Sequence, residues 1–216
     1  MTLVDLSHKI GPGTITYPGF PSPTISDFLS RDASRARYAS GTTFHIGRID
    51  MVANTGTYID APSHRYEGRV DISGLTLEAI ADLEGLCINV GSGTRSIEPA
   101  VLTGLDLAGR AIIFRTGWSR HFGTDAYAHG HPFLSVAAAE QLVLARVALV
   151  GIDSLNVDDT ATGERPVHSA LLAASIPIVE HLTNLDQLPA SGFRFFAVPP
   201  KIAGMGSFPI RAFAIV

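Results

Sequence analysis

Two segments of the chain carry residues that could act together in acid–base or metal chemistry. In the first, Asn54–His64, an aspartate and a histidine stand four residues apart, as Asp60 and His64, around Ala61-Pro62. Proline disfavours helical geometry at the residue before it, so we expect a turn after a strand, which can aim both side chains at one point. Polar loop residues supported by strands are a common site architecture. The structural alternative is a turn in which Asp60 caps backbone amides and His64 lies on the surface.

The second segment places a histidine and a glutamate on either side of an apolar run. His168 begins a predicted short helix, and Glu180 follows the strand-like residues Ile176–Val179. A carboxylate at the end of a buried strand needs a partner, because an unpaired buried charge is very costly. That partner could be a metal, an arginine or backbone amides. Together with Asp60, these residues offer one imidazole and two carboxylates, a ligand set suited to Zn²⁺, Mn²⁺ or Fe²⁺.

Short strands alternating with helices must position these two segments. Buried strands are predicted for four apolar runs, Leu86–Val90, Ala111–Arg115, Ala148–Ile152 and Phe193–Val198. A further strand is expected over Thr42–Val52, leading into the first segment. Helices are predicted over Leu77–Leu83, over Ser135–Val147 with Ser135 as N-cap, and over His168–Ala174. The alternation indicates an α/β fold class.

The start of the chain is rich in proline and glycine, which predicts a strand and a looped arm over residues 1–28. Such an arm can lie over a pocket or cross to a neighbouring subunit. A length of 216 residues fits one domain spanning residues 1–216. The sequence shows neither a signal-peptide pattern nor an apolar run long enough for a bilayer, so we expect a cytoplasmic protein.

Charge and cysteine content exclude several classes of function. The formal net charge is −4 and the 16 basic residues are scattered, so neither nucleic acid nor an anionic membrane is an expected partner. The single cysteine, Cys87, excludes an internal disulfide and a cysteine zinc site, and we expect it to be buried. Five polar residues are expected to be exposed to solvent, namely Asp158, Asp159, His121, His129 and His131. A small-molecule substrate or ligand is the remaining expectation.

The first segment resembles the main motif of a known hydrolase family. That motif is His-x-Gly-Thr-His-x-Asp-x-Pro-x-His, and Asn54–His64 reads Asn-Thr-Gly-Thr-Tyr-Ile-Asp-Ala-Pro-Ser-His. Further similarity follows in the same order along the chain, at Asp5–His8, Thr16–Gly19, Arg115–Trp118, Gly151–Ser154, His168–Glu180, Leu182–Leu185 and Pro209–Ile215. The chain is thereby identified as a member of the metal-dependent cyclase and formamidase-like hydrolases, which include kynurenine formamidases and isatin hydrolases.

The resemblance implies a swivelling β/β/α fold, assembly as a homodimer or homotetramer, and hydrolysis of amide bonds with one or two divalent metals. Matched by position, Asp60 would bridge metals, His168 and Glu180 would be ligands, and His64 would be the general acid/base. Tyr17 stands where formamidases often place a tryptophan that packs on the substrate.

Two departures from the motif change the expected chemistry. Asn54 and Tyr58 stand where the family has histidine ligands. An amide oxygen is the weaker ligand, and tyrosine ligates well only as a phenolate, with an ordinary pKa of about 10. Three outcomes stay open: a single metal at Asp60, His168 and Glu180; oxygen ligation or hydrogen bonding by Asn54 and Tyr58 in a changed chemistry; and a metal-free site.

The favoured function is hydrolysis of a small cyclic or N-acyl amide, or a lactone, by water activated on one divalent metal, Zn²⁺ or Mn²⁺. His64 would transfer the proton, and Tyr58 and Asn54 would polarise or orient the substrate carbonyl. Tyr17 and Phe20 would pack against the substrate. The alternatives are a metal-free isomerase or cyclising dehydratase that uses His64 and Tyr58, and a ligand-binding homologue without catalysis.

Overall fold

The computed structural model describes residues 1–216 and has a mixed α/β architecture, which confirms the predicted class. The strands are β1 Leu3–Asp5, β2 Thr24–Leu29, β3 Ile46–Asp50, β4 Tyr58–Asp60, β5 Leu83–Asn89, β6 Ser96–Ile97, β7 Ala111–Arg115, β8 Phe133–Leu134, β9 Leu149–Ile152, β10 Ile178–Glu180, β11 Ser191–Phe196, β12 Ser207–Pro209 and β13 Phe213–Ile215. The α-helices are α1 Arg31–Arg35, α2 Leu77–Ile80, α3 Val136–Leu144 and α4 Pro166–Ala173.

Nine strands form one sheet in the order β1-β13-β11-β5-β7-β9-β10-β4-β12. The central strands β5, β7, β9 and β10 are parallel, and the strands on both sides of them pair antiparallel. Two small sheets lie apart from it, an antiparallel pair of β2 with β3 and a parallel pair of β6 with β8. None of the helices combines the length and the apolar character that crossing a membrane would require.

Apolar side chains pack on both faces of the large sheet. Along β7, Ile113 belongs to one hydrophobic cluster, and its neighbours Ile112 and Phe114 belong to the other. Helices α3 and α4 cover the second cluster. The first cluster contains Val4 from β1 and Ile59 from β4, which lie near opposite ends of the strand order, so the sheet curls around it. The strands β10, β4 and β12 are the last three in the strand order.

Two predicted helices end earlier than expected, close to residues at which the backbone φ angle becomes positive. The predicted helix over Leu77–Leu83 ends at Ile80, because Asp82 has a φ of 54° and the chain turns into β5. The predicted helix from Ser135 has the expected N-cap but ends at Leu144, shortly before a φ of 54° at Arg146. The strand expected over Thr42–Val52 is limited to β3.

Candidate active site

Three neighbouring strands carry the core of the site. The antiparallel register places Glu180 of β10 opposite Tyr58 of β4, and Ser207 of β12 opposite Asp60 of β4. Residues that face each other across such a pair project from the same side of the sheet and lie within contact range. Strand pairing therefore brings Glu180 and Ser207, which are far away in the sequence, to Tyr58 and Asp60 on β4.

The end of β4 turns directly into His64. Pro62 occupies the start of a single 3₁₀ turn over Pro62–His64, where its fixed φ favours a helical turn. The Ser207 hydroxyl donates to Asp60 Oδ1 and lies 2.8 Å from His64 Nδ1. A hydroxyl has one hydrogen, so His64 Nδ1 must itself be the donor to Ser207. In neutral His64 the lone pair is therefore on Nε2, the atom a proton acceptor needs.

His168 is oriented by a carboxylate that precedes α4. Asp158 accepts hydrogen bonds from the amides of Val167 (2.7 Å) and His168 (3.0 Å) and from His168 Nδ1 (2.7 Å). The other ring nitrogen, Nε2, lies 3.6 Å from Asp60 Oδ2 and 3.7 Å from Glu180 Oε1. Burial acts to lower the pKa of His168, but the nearby Glu180, Asp158 and Asp60 carboxylates outweigh it and raise that pKa. The site thus favours a cation between these carboxylates.

The predictions that Asp158 and His131 are exposed to solvent are wrong. Asp158 is 1% exposed and His131 is 1% exposed, and His131 Nε2 lies 3.0 Å from the Asp158 backbone oxygen. Asp158 is buried because it caps the start of α4 and pairs with His168. Only the path of the loop before α4 brings it there, so no local pattern would have identified it.

Glu180 is fully buried and held by two hydrogen bonds. Its Oε1 accepts the Val157 amide at 2.7 Å, and its Oε2 accepts the Tyr58 hydroxyl at 2.5 Å. The Tyr17 hydroxyl lies 3.3 Å from Oε2, but its one hydrogen is donated to the Leu155 backbone oxygen at 2.7 Å. Burial raises the pKa of Glu180 above its usual range. Burial and the Glu180 charge raise the pKa of Tyr58 well above its usual range. Tyr58 therefore keeps its hydrogen and donates it to Glu180, which disfavours a phenolate ligand.

A cavity of about 300 Å³ opens above these groups. The predicted catalytic and substrate-binding residues all line it, namely His64, Tyr58, Tyr17, Phe20 and Asn54. Asp60 and Glu180 are buried, and His168 contributes to the cavity wall. The other three lining residues were not predicted from the sequence, namely Arg65, Asn156 and Arg165. The fold thus gathers every predicted site residue around one cavity.

The donor set suits one divalent cation. Ligand atoms of Asp60, His64 and His168 lie within 4.8 Å of one another, and Asp60 Oδ2 is buried without a hydrogen-bond partner. Two donors on a tetrahedral ion with bonds of about 2.1 Å are roughly 3.4 Å apart, close to the 3.6 Å between Asp60 Oδ2 and His168 Nε2. Glu180 Oε1 faces the same nitrogen.

Comparison with known proteins identifies the family of this chain. The chain matches the family described as "Putative cyclase" over residues 4–159. A kynurenine formamidase from Salinibacter ruber is 26% identical over 213 residues, which cover 98% of this chain and 96% of that protein. Isatin hydrolase A from Ralstonia solanacearum superposes with a TM-score of 0.81 and 26% identity, covering 99% of this chain and 91% of that chain.

A third similar protein is described as a predicted metal-dependent hydrolase from Bacillus stearothermophilus. Its structure gives a TM-score of 0.76 at 26% identity and covers 99% of this chain and 97% of that chain. The relatives are thus hydrolases that share the whole fold, and the family model spans well over half of the chain. The sequence resemblance and the cyclase-type fold it implied are confirmed, and the protein belongs to the cyclase family.

Proposed function

We propose that this protein hydrolyses a small cyclic or N-acyl amide, or a lactone, with the help of one Zn²⁺ or Mn²⁺ ion. The observation that carries the proposal is the buried, unpartnered Asp60 Oδ2 facing His168 Nε2 beside the cavity. The names of two relatives support it, since a formamidase cleaves a formamide and isatin is a cyclic amide. Asp60, His168 and Glu180 would hold the ion, which when bound lowers the pKa of a coordinated water and polarises a carbonyl.

His64 serves as the proton carrier. Ser207 fixes its Nδ1–H, so Nε2 can accept a proton from the attacking water. The same nitrogen then returns that proton to the leaving nitrogen or oxygen as the bond to the acyl carbon breaks. The His64 side chain is 36% exposed, which gives Nε2 access to the cavity while its other ring nitrogen stays anchored.

Asn54 and Tyr58 orient different groups, Asn54 the substrate carbonyl and Tyr58 the Glu180 carboxylate. The Asn54 side chain lines the cavity and forms no hydrogen bond within the protein, so its amide is available to the substrate carbonyl. The Tyr58 hydrogen is directed to Glu180, and Tyr58 therefore orients this ligand. Tyr17 and Phe20 lie with ring centroids 5.4 Å apart and provide an apolar wall for the rest of the substrate.

Metal content and turnover test the proposal together. Elemental mass spectrometry of chelator-free wild-type protein should find about one Zn or Mn per chain, and Asp60→Ala and Glu180→Ala should lose it. His64→Ala should retain the metal and lose hydrolysis of formanilide by about a hundredfold or more. His45→Ala is the matched control, because His45 bonds only to the surface residue Asp27. Unchanged turnover in His64→Ala would contradict the proton-carrier role.

A metal-free acid–base enzyme is the second candidate. The raised pKa of Glu180, which accepts a hydrogen bond from the cavity-lining Tyr58, favours it, since this carboxyl can hold a proton near neutral pH without a metal. Turnover of an isomerisation or dehydration that persists after complete removal of metal, and is lost in Tyr58→Phe, would support this candidate over hydrolysis.

A further inference from the structure

Two arginines line the cavity without a role in the chemistry described above. Arg65 and Arg165 share the wall with His64 and His168. No carboxylate oxygen lies within 4.0 Å of either guanidinium, although five other arginines of the chain form such ion pairs. Both positive charges are therefore uncompensated beside the reactive groups.

The two guanidinium groups are held in place by neutral acceptors. Ser169 Oγ accepts from Arg65 Nε at 3.1 Å and donates to the Arg165 backbone oxygen at 2.7 Å. Arg165 Nη1 donates to the backbone oxygens of Thr162 at 2.7 Å and Glu164 at 2.6 Å. These bonds leave both terminal nitrogens of Arg65, and Nε and Nη2 of Arg165, without a partner in the protein. The two guanidinium groups are thus held in position, while most of their N–H donors stay available to a ligand.

A second recess adjoins the cavity at this point. It is about 400 Å³ in volume and has no hydrophobic lining residue, and its walls are formed by Arg65, Gly163, Glu164, Arg165, Pro166 and Ser169. The arginines therefore stand where the cavity that holds His64 meets a polar opening. A substrate with its scissile bond at His64 can extend its other end to this junction.

We propose that Arg65 and Arg165 bind a carboxylate of the substrate, which makes the substrate class an amide or lactone that carries a separate acidic group. This inference rests on the proposed hydrolase function. Guanidinium groups form charge-assisted, often paired hydrogen bonds with carboxylates. The chain has a net charge of −4, so two arginines without ion pairs in the cavity wall supply the positive charge that would attract an anion to this cavity.

Two probes that differ only in one carboxylate test the proposal, 4-formamidobenzoate and formanilide. In the metal-loaded protein, Arg65→Gln and Arg165→Gln should each lower kcat/KM for 4-formamidobenzoate by about tenfold to a hundredfold. For formanilide the change should stay within about twofold, because no charged contact is lost. Arg69→Gln is the matched control, since Arg69 lies on the same loop as Arg65 but bonds to Ala173 and Ser175 outside the cavity. Arg65→Gln removes a single hydrogen bond, so its folding should be retained.

Calorimetric binding of both probes separates this inference from the hydrolase proposal. One outcome is that neither probe is cleaved, while wild-type protein binds the carboxylate probe more tightly and Arg65→Gln loses that preference. This outcome would support the anion site and contradict the hydrolase proposal. If formanilide is cleaved and the carboxylate improves neither turnover nor binding, the anion site is overturned and hydrolysis stands. Equal losses for both probes in the variants would also overturn it, since the arginines would then act on the site and not on the carboxylate.

Discussion

Asp158 touches neither the cavity nor the substrate in the mechanism above, yet the orientation of His168 depends on it. Its carboxylate accepts the two first available amides of α4 and the His168 ring at Nδ1. In neutral His168, fixing the hydrogen on Nδ1 leaves the lone pair on Nε2, which faces Asp60 and Glu180. A carboxylate behind a metal-ligating histidine is a common means of setting its tautomer and basicity.

Asp158→Asn should therefore weaken the metal site with little change in fold. The asparagine has no charge and keeps only one acceptor oxygen, and its NH₂ cannot accept the hydrogen bonds that the second carboxylate oxygen accepts. We expect metal affinity to fall by about tenfold to a hundredfold, measured by chelator competition. Asp159→Asn is the control, because Asp159 bonds to Arg95 and the Ala161 amide away from His168. Equal affinities in the two variants would contradict the role of Asp158.

His8 should make folding sensitive to acid. Its ring stacks on Phe122 at 3.8 Å and its Nε2 has no partner, and burial lowers its pKa to about 4. In the unfolded chain, His8 binds a proton near pH 6.5, which is above its pKa in the folded protein. The contribution of neutral His8 to the free energy of unfolding is therefore complete above pH 6.5 and is lost as the pH falls toward 4. His8→Phe keeps the stacking but cannot be protonated, so its free energy of unfolding should fall less steeply over this range. Urea titrations at several pH values give the free energy of unfolding. If it falls equally steeply with pH in both proteins, His8 does not contribute to the acid sensitivity.

At the scale of elements, the site depends on how closely β12 approaches the turn after β4. Ala61 donates its amide to the Gly206 backbone oxygen at 2.8 Å. A Cβ atom at Gly206 would lie 2.6 Å from His64 Cα and 2.8 Å from His64 N. Backbone atoms cannot move aside as the end of a flexible side chain can. Glycine at this position is what allows Ser207 to reach both Asp60 and His64.

Gly206→Ala should displace the turn and with it the proton carrier. We expect a loss of about 1–3 kcal/mol in the free energy of unfolding, as for other overpacked contacts, together with a lower kcat. Thermal unfolding and turnover measure the two effects. Gly11→Ala is the control, because no atom lies within 4 Å of its added Cβ and its φ is not positive. A Gly206→Ala protein with normal stability and kcat would show that the turn tolerates the displacement.

At the scale of the whole molecule, the hairpin of β2 and β3 lies outside the main sheet and carries apolar side chains into solvent. Four of them are largely exposed, Phe28 at 71%, Ile25 at 50%, Ile49 at 50% and Ile46 at 46%. Ile25 and Ile49 are register partners on one face of the hairpin. A lone two-stranded hairpin is only marginally stable, and exposed apolar side chains of this kind mark a contact surface. We propose that it packs against further copies of the chain in a homodimer or homotetramer.

Light scattering coupled to size-exclusion chromatography tests this assembly. Wild-type protein should elute as a dimer or tetramer, and Phe28→Glu should shift it toward the monomer, because a charge would be buried at the contact. Leu144→Glu is the control, since Leu144 is 82% exposed on α3, away from the hairpin. A monomeric wild-type protein would refute the proposal.

The sequence by itself determined the family, the α/β class and several elements. β7 forms over the predicted residues, and Ser135 caps α3 as expected. Cys87 is buried, as its apolar surroundings predicted. These features depend on local patterns, on apolar runs and capping residues that act within a few positions. The same holds for the motif residues from Asp60 to His64, whose spacing is visible in the chain.

Only the tertiary structure decided which groups support those residues. Ser207 is 147 positions from Asp60, and Tyr58 reaches Glu180 over 122 positions. Such contacts follow from the order and register of strands, which no single segment encodes. Burial, too, is a property of the assembled fold, and it is burial that keeps the hydrogen on Tyr58 and makes Asp158 a partner of His168. The chemistry of the site is therefore set by residue types that the sequence shows and by charges and hydrogen bonds that only packing assigns.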